Sequence, residues 1–146
     1  MKNNIEENKQ LVRDFYESIE KEDYNATAKY CHEDFTFYLQ VDEPIKGAEG
    51  FVKSEKKNFD AFKGFTFKIN ELICEGDKVA AYLIFDGKHT SATIFNIEPT
   101  GNQVRFSLLM LLTIKDGKII EKRAHFDHCD VQAQVKKRAN YKKQAF

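Results

Sequence analysis

Ile114-Lys115-Asp116-Gly117-Lys118-Ile119-Ile120-Glu121 is the stretch on which the fold turns. Asp-Gly between two alternating apolar runs is a strong hairpin signal, because a two-residue loop needs positive φ at both positions and these residues tolerate it. With Asp116-Gly117 as the loop, Lys115 stands opposite Lys118 and pairing runs back along both strands. Side chains alternate with a period of two. Unbroken pairing therefore puts Ile119, Glu121, Arg123, His125 and Asp127 on one face with Ile114, Leu112, Met110, Leu108 and Phe106. That face is apolar on one strand and ionisable on the other, which predicts a greasy pocket wall with a few aimed polar groups. The opposite face then carries Leu109 and Leu111 beside Arg105, Ser107 and Lys122, an apolar centre suited to a homodimer.

Working outward, the remaining elements give an α+β layout. Ile5, Leu11, Val12, Phe15, Tyr16 and Ile19 follow helical spacing to about Lys21, behind a capping box formed by Asn4 and Glu7. Asp23 caps a second, short helix running to Tyr30-Cys31. Phe35, Phe37, Leu39 and Val41 alternate with polar residues as a strand that ends before Pro44. Helical spacing returns at Phe51, Val52, Phe59 and Phe62. After Gly64 the chain is almost wholly β: 65–74 and 79–85 flank a tight turn at Glu75-Gly76-Asp77-Lys78. Residues 86–102 hold Gly87, Pro99 and Gly101 and supply a loop over one end of the sheet. Strands 104–114 and 119–127 follow, and a helical tail starts at about Asp130. This order (α-α-β-α-β-β-β-β) predicts a strongly curved, mostly antiparallel sheet wrapped around the N-terminal helices, a cone with an open mouth.

Composition narrows the function. At 146 residues, 42% hydrophobic and 32% charged, the chain reads as a single folded domain over 1–146 rather than a disordered one. Lys+Arg and Asp+Glu both number 23, so net charge points to no nucleic-acid partner. Thirteen Phe, six Tyr and no Trp make a phenylalanine-rich core, part of which can line a cavity. Cys31, Cys74 and Cys129 are odd in number and form no CxxC pair, which fits free thiols in the cytoplasm. The sequence has no apolar run of about 20 residues, so no membrane span is expected. The basic tail over 135–146, with Lys136-Lys137-Arg138 and Lys142-Lys143, reads as a solvated helix end. Four histidines without metal-ligand spacing predict no metal.

The motifs taken together carry a resemblance. Leu11-Val12-Arg13-Asp14-Phe15-Tyr16-Glu17, Asp34-Phe35, Gly47-Ala48-Glu49-Gly50-Phe51, Glu75-Gly76-Asp77-Lys78-Val79-Ala80, Gly87-Lys88-His89, Pro99-Thr100-Gly101 and Asp116 to Glu121 with Asp127 come in one order. In that order the chain, over about residues 8–134, resembles the SnoaL-like (polyketide cyclase-like) branch of the nuclear transport factor 2 superfamily. The resemblance implies a small-molecule pocket and cofactor-independent acid/base chemistry next to a carbonyl, of cyclase or isomerase type. The same fold also serves as a non-catalytic binding or dimerisation module, so fold and function are separate questions.

Within that resemblance Asp127 matches the aspartate that acts as acid/base in an intramolecular aldol condensation, with His125 or His89 assisting. A carboxylate on a greasy face is poorly solvated, which raises its pKa toward that task. The alternative is that Asp127 pairs with Arg123 or His125, and that His89 is a solvated loop residue. Arg123 stands where such cyclases carry a tryptophan, so it either anchors an anionic substrate or neutralises Glu121. Lys63-Gly64 replaces the Pro-Asp often found before the second strand. Tyr38-Leu39 occupies the place of a ketosteroid isomerase's catalytic aspartate. Tyr38 and Tyr82 are candidate hydrogen-bond donors to the substrate, and Phe106, Leu108, Met110 and Leu112 the wall. His32 reads as a helix-end cation, and His128 as exposed and off the pocket face.

Overall fold

The structure is a computed structural model and describes residues 3–137. Helix α1 (Asn3–Glu20) buries Val12, Phe15, Tyr16 and Ile19 completely. These residues fall at i, i+3, i+4 and i+7, the single stripe a 3.6-residue period provides. Ile5, on the first turn, is exposed. Asn4 lies within α1 rather than before it. Helix α2 (Tyr24–Lys29) is capped as the sequence suggests, with Asp23 accepting from the Ala26 N–H at 3.2 Å. Buried Ser18 and Thr27 share a hydrogen bond of 2.6 Å that ties α2 to α1.

Strands β1 (Cys31–Gln40) and β2 (Glu43–Lys46) precede helix α3 (Ala48–Phe59). Then come β3 (Thr66–Glu75), β4 (Lys78–Lys88), β5 (Gln103–Lys115), β6 (Lys118–His125) and helix α4 (His128–Lys136). The six strands form one curved, unclosed sheet in the order β2-β1-β6-β5-β4-β3. All neighbours are antiparallel except β1 and β6. Strand β2 is absent from the sequence reading because Pro44 suggested a stop. It survives because it lies on the sheet edge, where proline's missing N–H need not be paired.

The concave face of the sheet holds the core against α1 and α3. Glu20 fixes one end by accepting from the Phe67 N–H at 2.7 Å, so α1 docks on β3. Phe59, Phe65, Phe67 and Phe85 pack ring to ring beneath it. Gly87 is needed there, since a Cβ would meet Phe62, Phe65 and Phe85 carbons at 3.1 Å. Helix α4 is pinned to β5 by Gln134, whose side chain accepts from the Arg105 N–H and donates to the Arg105 carbonyl, both at 2.8 Å. The basic run beyond Lys137 lies outside the described residues.

The β5–β6 hairpin forms as its sequence predicts, with Asp116 at φ 53°, Gly117 at φ 72° and Lys115 paired with Lys118. Its register then departs from the expectation. Ile114 pairs with Ile119, but Thr113 pairs with Glu121, leaving Ile120 as the extra residue of a β-bulge. One inserted residue exchanges the two faces of everything beyond it. Lys122 and Ala124 therefore face inward with Leu112 and Met110, while Glu121, Arg123 and His125 lie with Thr113, Leu111 and Leu109.

Candidate active site in the cone

The mouth of the sheet encloses a cavity of about 550 Å3. Its walls are mostly aromatic and aliphatic: Phe37, Phe59, Phe62, Phe67, Phe85, Phe106, Leu108 and Met110 among others. Of the polar residues that line it, Tyr16 of α1 and Lys122 of β6 are buried, Ser54 and Glu55 of α3 are half-buried, and Gln40, Lys57, Asn58, His125 and His128 are exposed. Tyr16, Glu55 and Lys122 arrive there by local rules. Tyr16 belongs to the buried stripe of α1. Glu55 sits between Phe51 and Phe59 at steps of four on α3, so it shares their inward stripe. Lys122 is turned inward by the bulge at Ile120.

Lys122 is 1% exposed. Its Nζ lies 4.3 Å from the centroid of Phe37 and 5.1 Å from that of Phe51. Among the described residues it has no hydrogen bond and no carboxylate within the 4.0 Å of an ion pair. Burial lowers its pKa, and the nearby Glu55 charge opposes that shift in part. Glu55 is half-buried and lines the cavity. Desolvation raises its carboxyl above the usual range, with Lys122 opposing. The Tyr16 hydroxyl is buried without a partner, and burial followed by the Glu55 charge raises its pKa well above the phenol value. A base, an amine and an unpaired hydroxyl thus share one apolar chamber.

The residues singled out from the sequence separate into three groups. Phe106, Leu108 and Met110 line the cavity, as does His125 at its exposed rim. Leu112 is wholly buried opposite Lys122 but does not line it. Glu121, Arg123, Tyr38 and Tyr82 lie elsewhere, and the bulge explains the first two. Arg123 Nε donates to Glu121 at 2.6 Å, and its guanidinium stacks on Tyr38 with 4.0 Å to the ring centroid. Tyr82 pairs with Leu109 on the outer face. Asp127 caps α4 by accepting from the Asp130 N–H at 3.0 Å, and it is exposed. Its expected place on the pocket face is thus corrected: β6 ends at His125, and the chain turns into a helix before Asp127 can continue the alternation.

His89 is fully buried rather than solvated, and it holds the loop over 89–102 closed. Its Nε2–H donates to the Ala92 carbonyl at 2.7 Å, while Nδ1 accepts the Thr100 N–H at 3.3 Å. That loop presents Phe95 to the cavity from φ 51°, a left-handed conformation rare for an aromatic residue. Phe95 packs edge-on against His128 with ring centroids 4.9 Å apart, so His128 helps form the rim instead of facing away from it. His32 sits in β1 rather than at a helix end, its Nδ1 accepting the Asp34 N–H at 3.0 Å. Among the described residues no three His, Cys, Asp or Glu side chains cluster as metal ligands would.

The family model for SnoaL-like polyketide cyclase matches residues 10–135. The chain belongs to this family. AclR of Streptomyces galilaeus shares the fold of this SnoaL-like protein with a TM-score of 0.82, at 20% identity over 90% of this chain and 97% of that one. IdmH of Streptomyces antibioticus gives 0.76, at 20% identity over 88% and 97%. An LEH-like epoxide hydrolase of M. tuberculosis gives 0.69, at 18% identity over 90% of each chain. A search of the curated proteins finds no match. No helix among the described residues of the SnoaL-like chain is long and apolar enough to cross a membrane.

Proposed function

We propose that this SnoaL-like chain is a cofactor-independent enzyme that moves a proton at a carbon next to a carbonyl of a small, mainly apolar substrate. What supports this reading above all is the pairing of Glu55 and Lys122 across one aromatic cavity, with neither neutralised by a close partner. In the charge-separated form the Glu55 carboxylate removes the acidic C–H proton. Lys122, and the unpartnered Tyr16 hydroxyl of the same cavity, stabilise the enolate oxygen that develops. Return of the proton to a new carbon or oxygen completes an isomerisation or an aldol-type ring closure. A carboxylate in poor solvent is a stronger base near neutrality, which is where general-base catalysis is most effective.

Asp127 takes the role of helix cap in this proposal, and His125 that of a rim residue able to exchange protons with solvent. The three free cysteines suit a reducing compartment, and we place the enzyme in the cytoplasm. We also propose a homodimer through the convex face, where Leu109 at 51%, Leu111 at 42% and Tyr82 at 36% exposure form an apolar centre.

The acid/base reading is tested with 2-tetralone, an apolar ketone with acidic hydrogens beside its carbonyl. In heavy water the wild-type protein should speed deuterium incorporation at that carbon, followed by NMR. Glu55→Gln should slow it by on the order of a hundredfold to ten-thousandfold. Equal exchange by E55Q and wild type would remove Glu55 from the mechanism.

A further inference from the structure

We propose that Lys122 is a covalent nucleophile that forms an imine with the carbonyl carbon of the substrate, with Glu55 as its proton partner. The inference rests on the acid/base reading of the cavity and goes one step further, to the kind of substrate the site takes. That class is an apolar ketone or aldehyde whose carbonyl reaches the inner end of the chamber, flanked by aromatic surface.

Three observations carry it. Lys122 is 1% exposed and is one of the residues lining the cavity, so a ligand there meets its side chain. Nothing within ion-pair distance holds it as a structural cation, and its Nζ lies over the Phe37 and Phe51 rings at 4.3 and 5.1 Å from their centroids. The proton it gives up has a receiver in Glu55, which lines the same cavity and is near enough for its charge to act on Lys122. Burial shifts the two groups in opposite directions, the amine down and the carboxyl up, and both shifts favour free amine facing carboxylic acid. The buried Cys31 thiol, near enough for the Lys122 charge to act on it, is pushed up to about 12 by burial, so it stays neutral and does not compete for the proton.

The step balances without any further reactant. The Nζ lone pair forms a C–N bond as the carbonyl π bond breaks, and a proton passes from nitrogen to oxygen to give the carbinolamine. Glu55 then protonates the hydroxyl, which leaves as water. The product is a protonated imine beside the Glu55 carboxylate. That carboxylate can next remove the neighbouring C–H proton and give an enamine. The iminium ion is a stronger electron sink than the ketone, which is what carbonyl chemistry on a buried lysine gains.

The test traps the imine. Wild-type protein is incubated near pH 7 with 2-tetralone and cyanoborohydride, and the reduced adduct is mapped by peptide mass spectrometry. The chain has nineteen lysines, so position is the readout. A lysine amine in water is almost wholly protonated at neutral pH and reacts slowly there. We expect one dominant adduct, on Lys122, lost in Lys122→Met, a variant that keeps the length and apolar character of the side chain. Adducts spread over surface lysines, equal in wild type and K122M, would overturn the proposal. Deuterium exchange into the ketone without an adduct on Lys122 would overturn the imine and leave the acid/base reading standing. Absence of both exchange and adduct would overturn the two together.

Discussion

Replacing Lys122 by Met should stabilise the protein although it deletes a buried residue of the core. An ammonium taken from water into a protein interior costs several kcal/mol after relaxation. The Phe37 and Phe51 faces return about 2 kcal/mol of cation–π energy when desolvated. Glu55 recovers less, because it lies beyond ion-pair distance. A cost of about 1–3 kcal/mol remains for the protonated lysine. Methionine is shorter by about one heavy atom and forfeits about 0.8 kcal/mol of burial. The net gain is about 1 kcal/mol, or roughly 2–4 °C in Tm for a domain of this size. Thermal unfolding followed by circular dichroism reads it directly. The pH dependence supplies the sharper check. Because burial lowers the Lys122 pKa in the folded state, the unfolded chain keeps its proton to higher pH. Wild-type stability therefore climbs between the folded value and ~10.4, and K122M lacks that climb. The advantage of K122M should be widest at neutral pH and close as pH approaches ~10.4. A K122M protein that melts lower than wild type by the same margin at every pH would refute the account.

Other substitutions probe the remaining parts. His89→Ala should cost about 3 kcal/mol by orphaning the Ala92 carbonyl and the Thr100 N–H, and should speed hydrogen exchange across residues 89–102. Asp127→Asn should leave both stability and ketone exchange at wild-type levels, since Asn caps a helix as well as Asp. Asp127→Ala should cost about 1 kcal/mol of stability, again without loss of exchange. Leu109→Asp with Leu111→Asp should convert a dimer to a monomer in sedimentation equilibrium while leaving the fold intact; a wild-type monomer would remove the dimer proposal.

Much of the scaffold was legible because its signals are local. The stripe at Val12, Phe15, Tyr16 and Ile19, the Asp23 cap and the two tight turns each follow from a few adjacent residues. Gly76 at φ 59° and Asp116-Gly117 adopt the conformations those residue types favour. The facing of β6 was not legible, because its bulge falls on Ile120, a residue that carries no mark of positive φ or of a break. A different count would have found it. Unbroken alternation buries Glu121, Arg123 and His125, three ionisable groups, whereas a one-residue slip after Ile119 buries Lys122 and Ala124. Burying one such group costs far less than burying three. Glu55 is illegible for the complementary reason: the apolar spacing runs through Phe51 and Phe59, and a charged residue midway between them carries no weight in an apolar pattern. A carboxylate at the centre of an apolar stripe is the feature that marks a site.

Lys122 and Glu55 are best understood as one unit holding one proton. With the proton on Lys122 the chamber contains two opposite charges beyond ion-pair distance, each poorly solvated. With the proton on Glu55 it contains none. Desolvation favours the second arrangement and mutual attraction the first, and for both Lys122 and Glu55 desolvation is the larger influence. A ligand chooses between them. An oxygen gathering negative charge near Nζ draws the proton to Lys122 and leaves Glu55 as base, whereas a neutral carbonyl carbon in reach of the free amine draws the proton to Glu55. Proton abstraction and imine formation are therefore two uses of the same inventory. The aromatic walls that make both groups uncomfortable in the empty cavity are what keep the proton available to either.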